Sequence, residues 1–126
     1  MDSDLVLRLL VVIVAAGVVV AVARLRPRRR GRPLRTGGNL EGPGVYLFTA
    51  SACDSCDSAR SVYVDVLGED GFTEFTWEDR PSLLTRLGVG EIPVSTVLDS
   101  TGREMGSFVG VPPRRALRRA ARRMRA

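Results

Sequence analysis

The apolar positions of this 126-residue chain fall into two patterns that do not mix. From Leu5 to Ala23 every position but Arg8 is apolar, a 19-residue stretch with neither helical nor strand alternation. As a helix rising about 1.5 Å per residue it comes close to the roughly 30 Å hydrocarbon thickness of a bilayer. The rest of the chain is too short to enclose a helix that is apolar on all sides, so a membrane-inserted segment is the expectation. Arg8 lies near one end, where its long side chain can reach the headgroups.

From Val45 onward the apolar residues come in short periodic runs. Val45 to Thr49 is apolar and β-branched after a Gly-Pro-Gly turn signal, and predicts a buried strand. Ala59, Val62, Tyr63, Val66 and Leu67 then recur at helical spacing; Ser51 with Asp54 has the form of a capping box, and Gly68 that of a stop. Phe72 to Trp77 alternates as a second strand, with Thr73, Phe75 and Trp77 set against Glu74 and Thr76. Pro81 to Leu87 predicts a short helix with Leu83, Leu84 and Leu87 on one face, ended by Gly88. Val94 to Leu98 and Arg103 to Val109 read as a hairpin around Asp99 to Gly102. After Pro112 and Pro113, paired arginines surround Leu117, Ala120, Ala121 and Met124 at the spacing of an amphipathic helix. The order β-α-β-α-β-β-α implies an α/β fold: a four-stranded mixed sheet, parallel in its first part, closed by an antiparallel hairpin, with helices on both faces.

Charge divides the chain further. All 19 basic residues are arginine. Residues 24 to 35 carry +7, residues 114 to 126 carry +7, and between them residues 41 to 111 hold 12 Asp and Glu against 4 Arg. The first flank, Arg24, Arg26, Arg28, Arg29, Arg30, Arg32 and Arg35, directly follows the apolar stretch, while the residues before it, Met1 to Asp4, are acidic. Arginine beyond the C-terminal end of a span holds that end in the cytoplasm. The reading is a single-pass anchor in the cell membrane with its domain on the cytoplasmic side. A cleaved signal peptide, with Ala21 to Ala23 as the processing site and an extracytoplasmic domain, is the alternative. The expected organisation is a short N-terminus at 1–4, a transmembrane helix at 5–23, an Arg/Gly/Pro-rich linker at 24–43 and a globular domain at 44–126. Segment 24–35 suits contact with anionic headgroups, while 114–125 reads as a helix packed on the sheet by Leu117 and Met124 with a solvated basic face or, alternatively, as a second such contact. No aromatic residue is interleaved among the terminal arginines, so no nucleic-acid partner is expected.

The chain has two cysteines and no histidine. Cys53 and Cys56 cannot furnish the four ligands of a structural zinc site, so no metal or other cofactor is expected. As a purely structural bridge, so short a loop would contribute little chain entropy. At the N-terminus of the first soluble helix, a Cys53 sulfur meets unpaired backbone N–H groups and the positive end of the helix dipole, which lower its pKa. Cys56 lies one turn deeper, placed to close the ring. That assigns Cys53 as nucleophile and Cys56 as resolving thiol in exchange with protein thiols and disulfides. Asp54 and Asp57 act as pKa modulators in the opposite sense, disfavouring the thiolate and predicting a reducing potential.

Cys53-Asp54-Ser55-Cys56 directly after a strand, then Gly88-Val89-Gly90-Glu91-Ile92-Pro93-Val94, a turn with Gly102 and a strand ending in Val109-Gly110, resembles the thioredoxin superfamily over residues 44 to 124. The resemblance implies the three-layer thioredoxin-like fold, a cis peptide before Pro93, and binding of an extended substrate segment by the backbone beside it at Ile92. Three departures stand out. Ala52 occupies the place of the family's Trp, Ser55 that of its Pro, and Leu47 that of the buried carboxylate six residues before the first cysteine, which the family uses in proton transfer. The sequence thus reads as a membrane-anchored thiol–disulfide oxidoreductase. The alternatives are a redox-inactive, membrane-tethered thioredoxin-like adaptor and an exported thiol–disulfide carrier.

Overall fold

Residues 45 to 48 are apolar in succession because the strand they form is covered on both sides, and this placement organises the domain. In the computed structural model, which describes residues 2–25 and 33–126, strand β1 (Gly44–Thr49) is followed by α2 (Asp54–Leu67), β2 (Thr73–Thr76), α3 (Pro81–Leu87), β3 (Val94–Leu98), β4 (Glu104–Val109) and α4 (Arg114–Arg125). A single turn of tighter helix, Glu69–Gly71, leads into β2. The sheet order is β2-β1-β3-β4. β1 and β2 run parallel, while β1–β3 and β3–β4 are antiparallel. The element order and the mixed sheet match the expectation from periodicity.

Side chains alternate across β1. Tyr46 and Phe48 pack with Leu83, Leu84 and Leu87 of α3, whereas Val45 and Leu47 pack with Val62 and Tyr63 of α2 and Leu117 and Ala120 of α4. The result is three layers, α3 on one face of the sheet and α2 with α4 on the other. Helix α4 sits close to its strand because Gly106 has no side chain: a Cβ there would lie 2.9 Å from the Ala120 Cβ. Helix α3 ends where Gly88 adopts φ 75°, a left-handed conformation suited to glycine, with its N–H bonded back to Leu84 and Thr85.

Helix α1 (Ser3–Leu25, 23 residues) has no buried residue. At about 1.5 Å per residue it is about 35 Å long, and it is the one helix among the described residues long and apolar enough to cross a membrane, a pattern that a signal sequence shares. Arg26, Arg28, Arg29, Arg30 and Arg32 lie outside the described residues. Residues 33 to 43 form no helix or strand and are largely exposed, yet several of them hold the segment to the domain. Leu34 is buried and Leu40 half-buried against the α3-side core, the Arg35 N–H donates to the Leu87 carbonyl, and Tyr46 donates its hydroxyl to the Glu41 carbonyl at 2.5 Å. The arginine, glycine and proline around these residues conceal their apolar contacts from a periodicity reading.

Candidate redox site

The register brings four strand ends together: Thr49 lies opposite Thr76, and Phe48 opposite Val94, itself opposite Val109. Both cysteines and the Ile92–Pro93 peptide are carried at this end. Cys53, in extended conformation at φ −146° and ψ 107°, caps α2. Cys56 stands in the first turn and is disulfide-bonded to Cys53, with the Cα atoms 5.4 Å apart. Cys53 is half-buried and Cys56 is 1% exposed, so a substrate sulfur can reach the first but not the second. The Ser55 hydroxyl is 3.9 Å from the Cys53 sulfur. The Ile92–Pro93 bond is cis, Pro93 is fully buried, and its carbonyl accepts the Gly110 N–H at 2.8 Å. Ile92 is half-buried against the α3-side core.

The expected capping box does not form. Helix α2 begins two residues later than Ser51 would cap it, with Cys53 at the cap and no side-chain cap bond. Ser51 bonds elsewhere: its N–H and hydroxyl both donate to the Glu78 carboxylate, at 3.0 and 2.7 Å. These bonds hold Glu78 below the usual carboxylate range, the Ser51 hydroxyl contributing most. Beside this clasp the Trp77 N–H donates to the Thr49 carbonyl, and Trp77 is 38% exposed. Sequence alone held no sign of the clasp, because its partners are 27 residues apart.

Asp54 is exposed and has no ion-pair partner among the described residues. Asp57, in contrast, accepts a bond from Arg60 at 2.7 Å. The same guanidinium bridges to Glu74 on β2, with Nε 2.9 and 3.1 Å from its two carboxylate oxygens, and Glu74 in turn accepts the hydroxyl of the fully buried Thr49. The Glu74 hydrogen bond is the main cause that raises the Arg60 pKa further above its ordinary value. Much of the Asp57 charge is therefore offset before it reaches the sulfurs. The spacing of Asp57 and Arg60, one helical turn, was the signal for half of this network; the strand register supplied the rest.

Beneath the cysteines, Leu47 is fully buried on the α2 face. Its neighbour across the ladder is Ser95, which accepts a buried hydrogen bond from the Tyr63 hydroxyl. Burial pushes the Tyr63 pKa up to about 12. This pair stays neutral near physiological pH, so it supplies no general base there.

No protein-family model and no curated protein matches the chain by sequence. Solved structures do. A thioredoxin from Malassezia sympodialis (Mala s 13) superposes with a TM-score of 0.56 at 21% identity, over 72% of this chain and 80% of that one. The Trypanosoma brucei brucei thioredoxin gives 0.55 at 18% identity, over 68% and 77%. The thioredoxin of Aeropyrum pernix gives 0.54 at 16%, again over 68% and 77%. With the four-stranded mixed sheet, helices on both faces and a Cys-x-x-Cys pair at the head of α2, these likenesses show that the chain carries the thioredoxin-superfamily fold.

Proposed function

We propose that this protein is a membrane-anchored thiol–disulfide oxidoreductase acting on protein disulfides through Cys53 and Cys56. The observation that carries the proposal is the bonded pair itself: the half-buried Cys53 at a helix N-terminus joined to the buried Cys56 in the first turn, at the sheet end that also carries Ile92 and Pro93. In the reduced enzyme the Cys53 thiolate attacks one sulfur of a substrate disulfide. A Cys53–substrate bond forms as the substrate bond breaks, and the first substrate thiolate leaves. Cys56 loses its proton and attacks the Cys53 sulfur, expelling the second substrate thiolate and closing the Cys53–Cys56 disulfide. Two electrons pass from the pair to the substrate. Ile92, next to the buried Pro93, presents backbone to an extended substrate segment at this point.

Asp54 and Asp57 tune the pair toward the reducing side, Asp54 the more so because Arg60 offsets Asp57. Helix α1 anchors the domain, which faces the cytoplasm. Labelling of the cysteines in intact cells by a membrane-impermeant thiol reagent would reverse that orientation and favour an exported carrier. Leu47, in the place of a buried carboxylate, favours a second reading in which the domain is an adaptor without turnover. One experiment separates them. A Cys56→Ser variant of the full chain is expected to accumulate a mixed disulfide on Cys53, and Cys53→Ser to abolish reduction of a model disulfide. Equal rates for wild type and Cys53→Ser would leave only the adaptor.

A further inference from the structure

Helix α4 carries seven arginines on twelve residues, and all seven are exposed. Arg114 pairs with Asp65 of α2 at 2.9 Å. Arg115, Arg118, Arg119, Arg122, Arg123 and Arg125 have no ion-pair partner among the described residues, although residues 41 to 111 hold 12 acidic side chains. Leu117, Ala120 and Ala121 are buried on the sheet and Met124 packs beside them, so the helical period sets Arg115, Arg119 and Arg122 along the opposite side. Like charges one turn apart on this ridge repel, and the nearest acidic side chain in the adjoining groove, Glu104, forms no ion pair with them.

A second observation says where the ridge stands. Pro33 lines the groove between β4 and α4, together with Gly106, Phe108, Ala116, Arg119 and Arg123. The chain therefore joins the domain against α4 itself. Leu25, the last residue of α1, is only eight residues upstream of Pro33. A chain of that length reaches at most about 28 Å at about 3.5 Å per residue. Whatever holds the end of α1 also holds Pro33, and with it the groove beside α4, within that distance.

We infer that the Arg115–Arg119–Arg122 ridge of α4 is a docking surface for the anionic headgroups of the bilayer in which α1 is inserted. The inference rests on the proposed anchor and adds a second membrane contact, which fixes one face of the domain toward the lipid and leaves the cysteine loop for partners. Lipid is favoured over other anions by the tether, which keeps headgroups near the ridge at all times, whereas a free acidic partner must be recruited.

The test uses the full chain in nanodiscs of phosphatidylcholine alone or with anionic phosphatidylglycerol, with arginine reactivity toward a dicarbonyl reagent read residue by residue by mass spectrometry. Arg86 and Arg103, exposed on other parts of the chain, serve as internal references. Reactivity of Arg115, Arg119 and Arg122 is expected to fall about tenfold relative to the references in anionic discs, and to recover at about 0.5 M salt, where the Debye length shrinks to about 4 Å. Equal reactivity in the two lipids overturns the inference. So does protection in phosphatidylcholine discs by added polyglutamate or duplex DNA that exceeds protection by anionic lipid. Failure of the anchor is seen separately, as release of the whole chain from either disc at high salt.

Discussion

Helices α2 and α4 lie on the same face of the sheet and bury the same kind of residue against it, yet they dispose of their charges in opposite ways. On α2, Asp57 and Arg60 are tied to one another and to Glu74 of β2, and Asp65 takes Arg114. On α4 six of seven arginines are left without a partner among the described residues. Charges on α2 thus position the helix that carries the cysteines. Apart from Arg114, those on α4 make no ion pair within the described domain, so its attachment depends mainly on the apolar side.

The largest test of that contrast is Leu117→Ala. Leu117 is fully buried and is the main apolar side chain by which α4 holds the sheet. Its truncation should cost about 2–5 kcal/mol. Denaturation of the full chain in discs, followed by the fluorescence of its only tryptophan, Trp77, is expected to show that loss. A loss under about 1 kcal/mol would mean that α4 is held by something other than its buried side.

Next in size is Tyr63→Phe on α2. Removal of the hydroxyl leaves Ser95 buried without its partner and should cost about 1–2 kcal/mol near neutral pH. The same variant has a pH signature. With the Tyr63 pKa raised to about 12 in the fold from 10.0, the folded chain binds the extra proton between those values. Stability from this group is complete below pH 10 and falls as pH rises toward 12, by up to about 1.4 kcal/mol per pH unit. Phenylalanine should flatten that alkaline slope; an unchanged slope would assign it to another group, such as the second tyrosine, Tyr46, whose pKa burial also raises.

The two helices also differ in how far the sequence disclosed them. The 3.6-residue period of Leu117, Ala120, Ala121 and Met124 was sufficient to place α4 at 114–125, because local periodicity and burial against one sheet face are the same fact. For α2 the buried residues were equally legible, but its first turn was not. Ser51 and Asp54 satisfy a local capping pattern, and a non-local acceptor, Glu78, competes for the serine and wins with two bonds. Leu34 and Leu40 were hidden for the same reason: a contact made by an irregular segment leaves no period to read. The mixed sheet with its antiparallel hairpin followed from the alternation of elements, whereas the strand order and the Asp57–Arg60–Glu74–Thr49 chain needed the pairing and register of the strands.

Arg60→Met tests the α2 half of the comparison more finely. It removes the cation shared by Asp57 and Glu74, both partly solvated, and should cost about 1 kcal/mol or less. The functional effect is more specific than the loss of stability. With Arg60 gone, the Asp57 charge acts on the cysteines without offset, so the pH midpoint for alkylation of Cys53 in the reduced chain is expected to rise. An unchanged midpoint would show the aspartate too well screened to matter.

The smallest expected effect falls on α4. Replacing Arg115, Arg119 and Arg122 together by Gln removes three charges with no ion-pair partner among the described residues and several repulsive pairs a turn apart, Arg115 with Arg119 and Arg119 with Arg122 among them, while helix propensity changes little. In zwitterionic discs the triple variant should be as stable as the parent, or more so by about 0.2–0.5 kcal/mol. Loss of a full 1 kcal/mol would mean that the ridge is engaged within the domain after all, as the charges of α2 are, and the distinction between the two helices would fall. Equal stability together with loss of the lipid-dependent protection locates the purpose of those charges outside the fold.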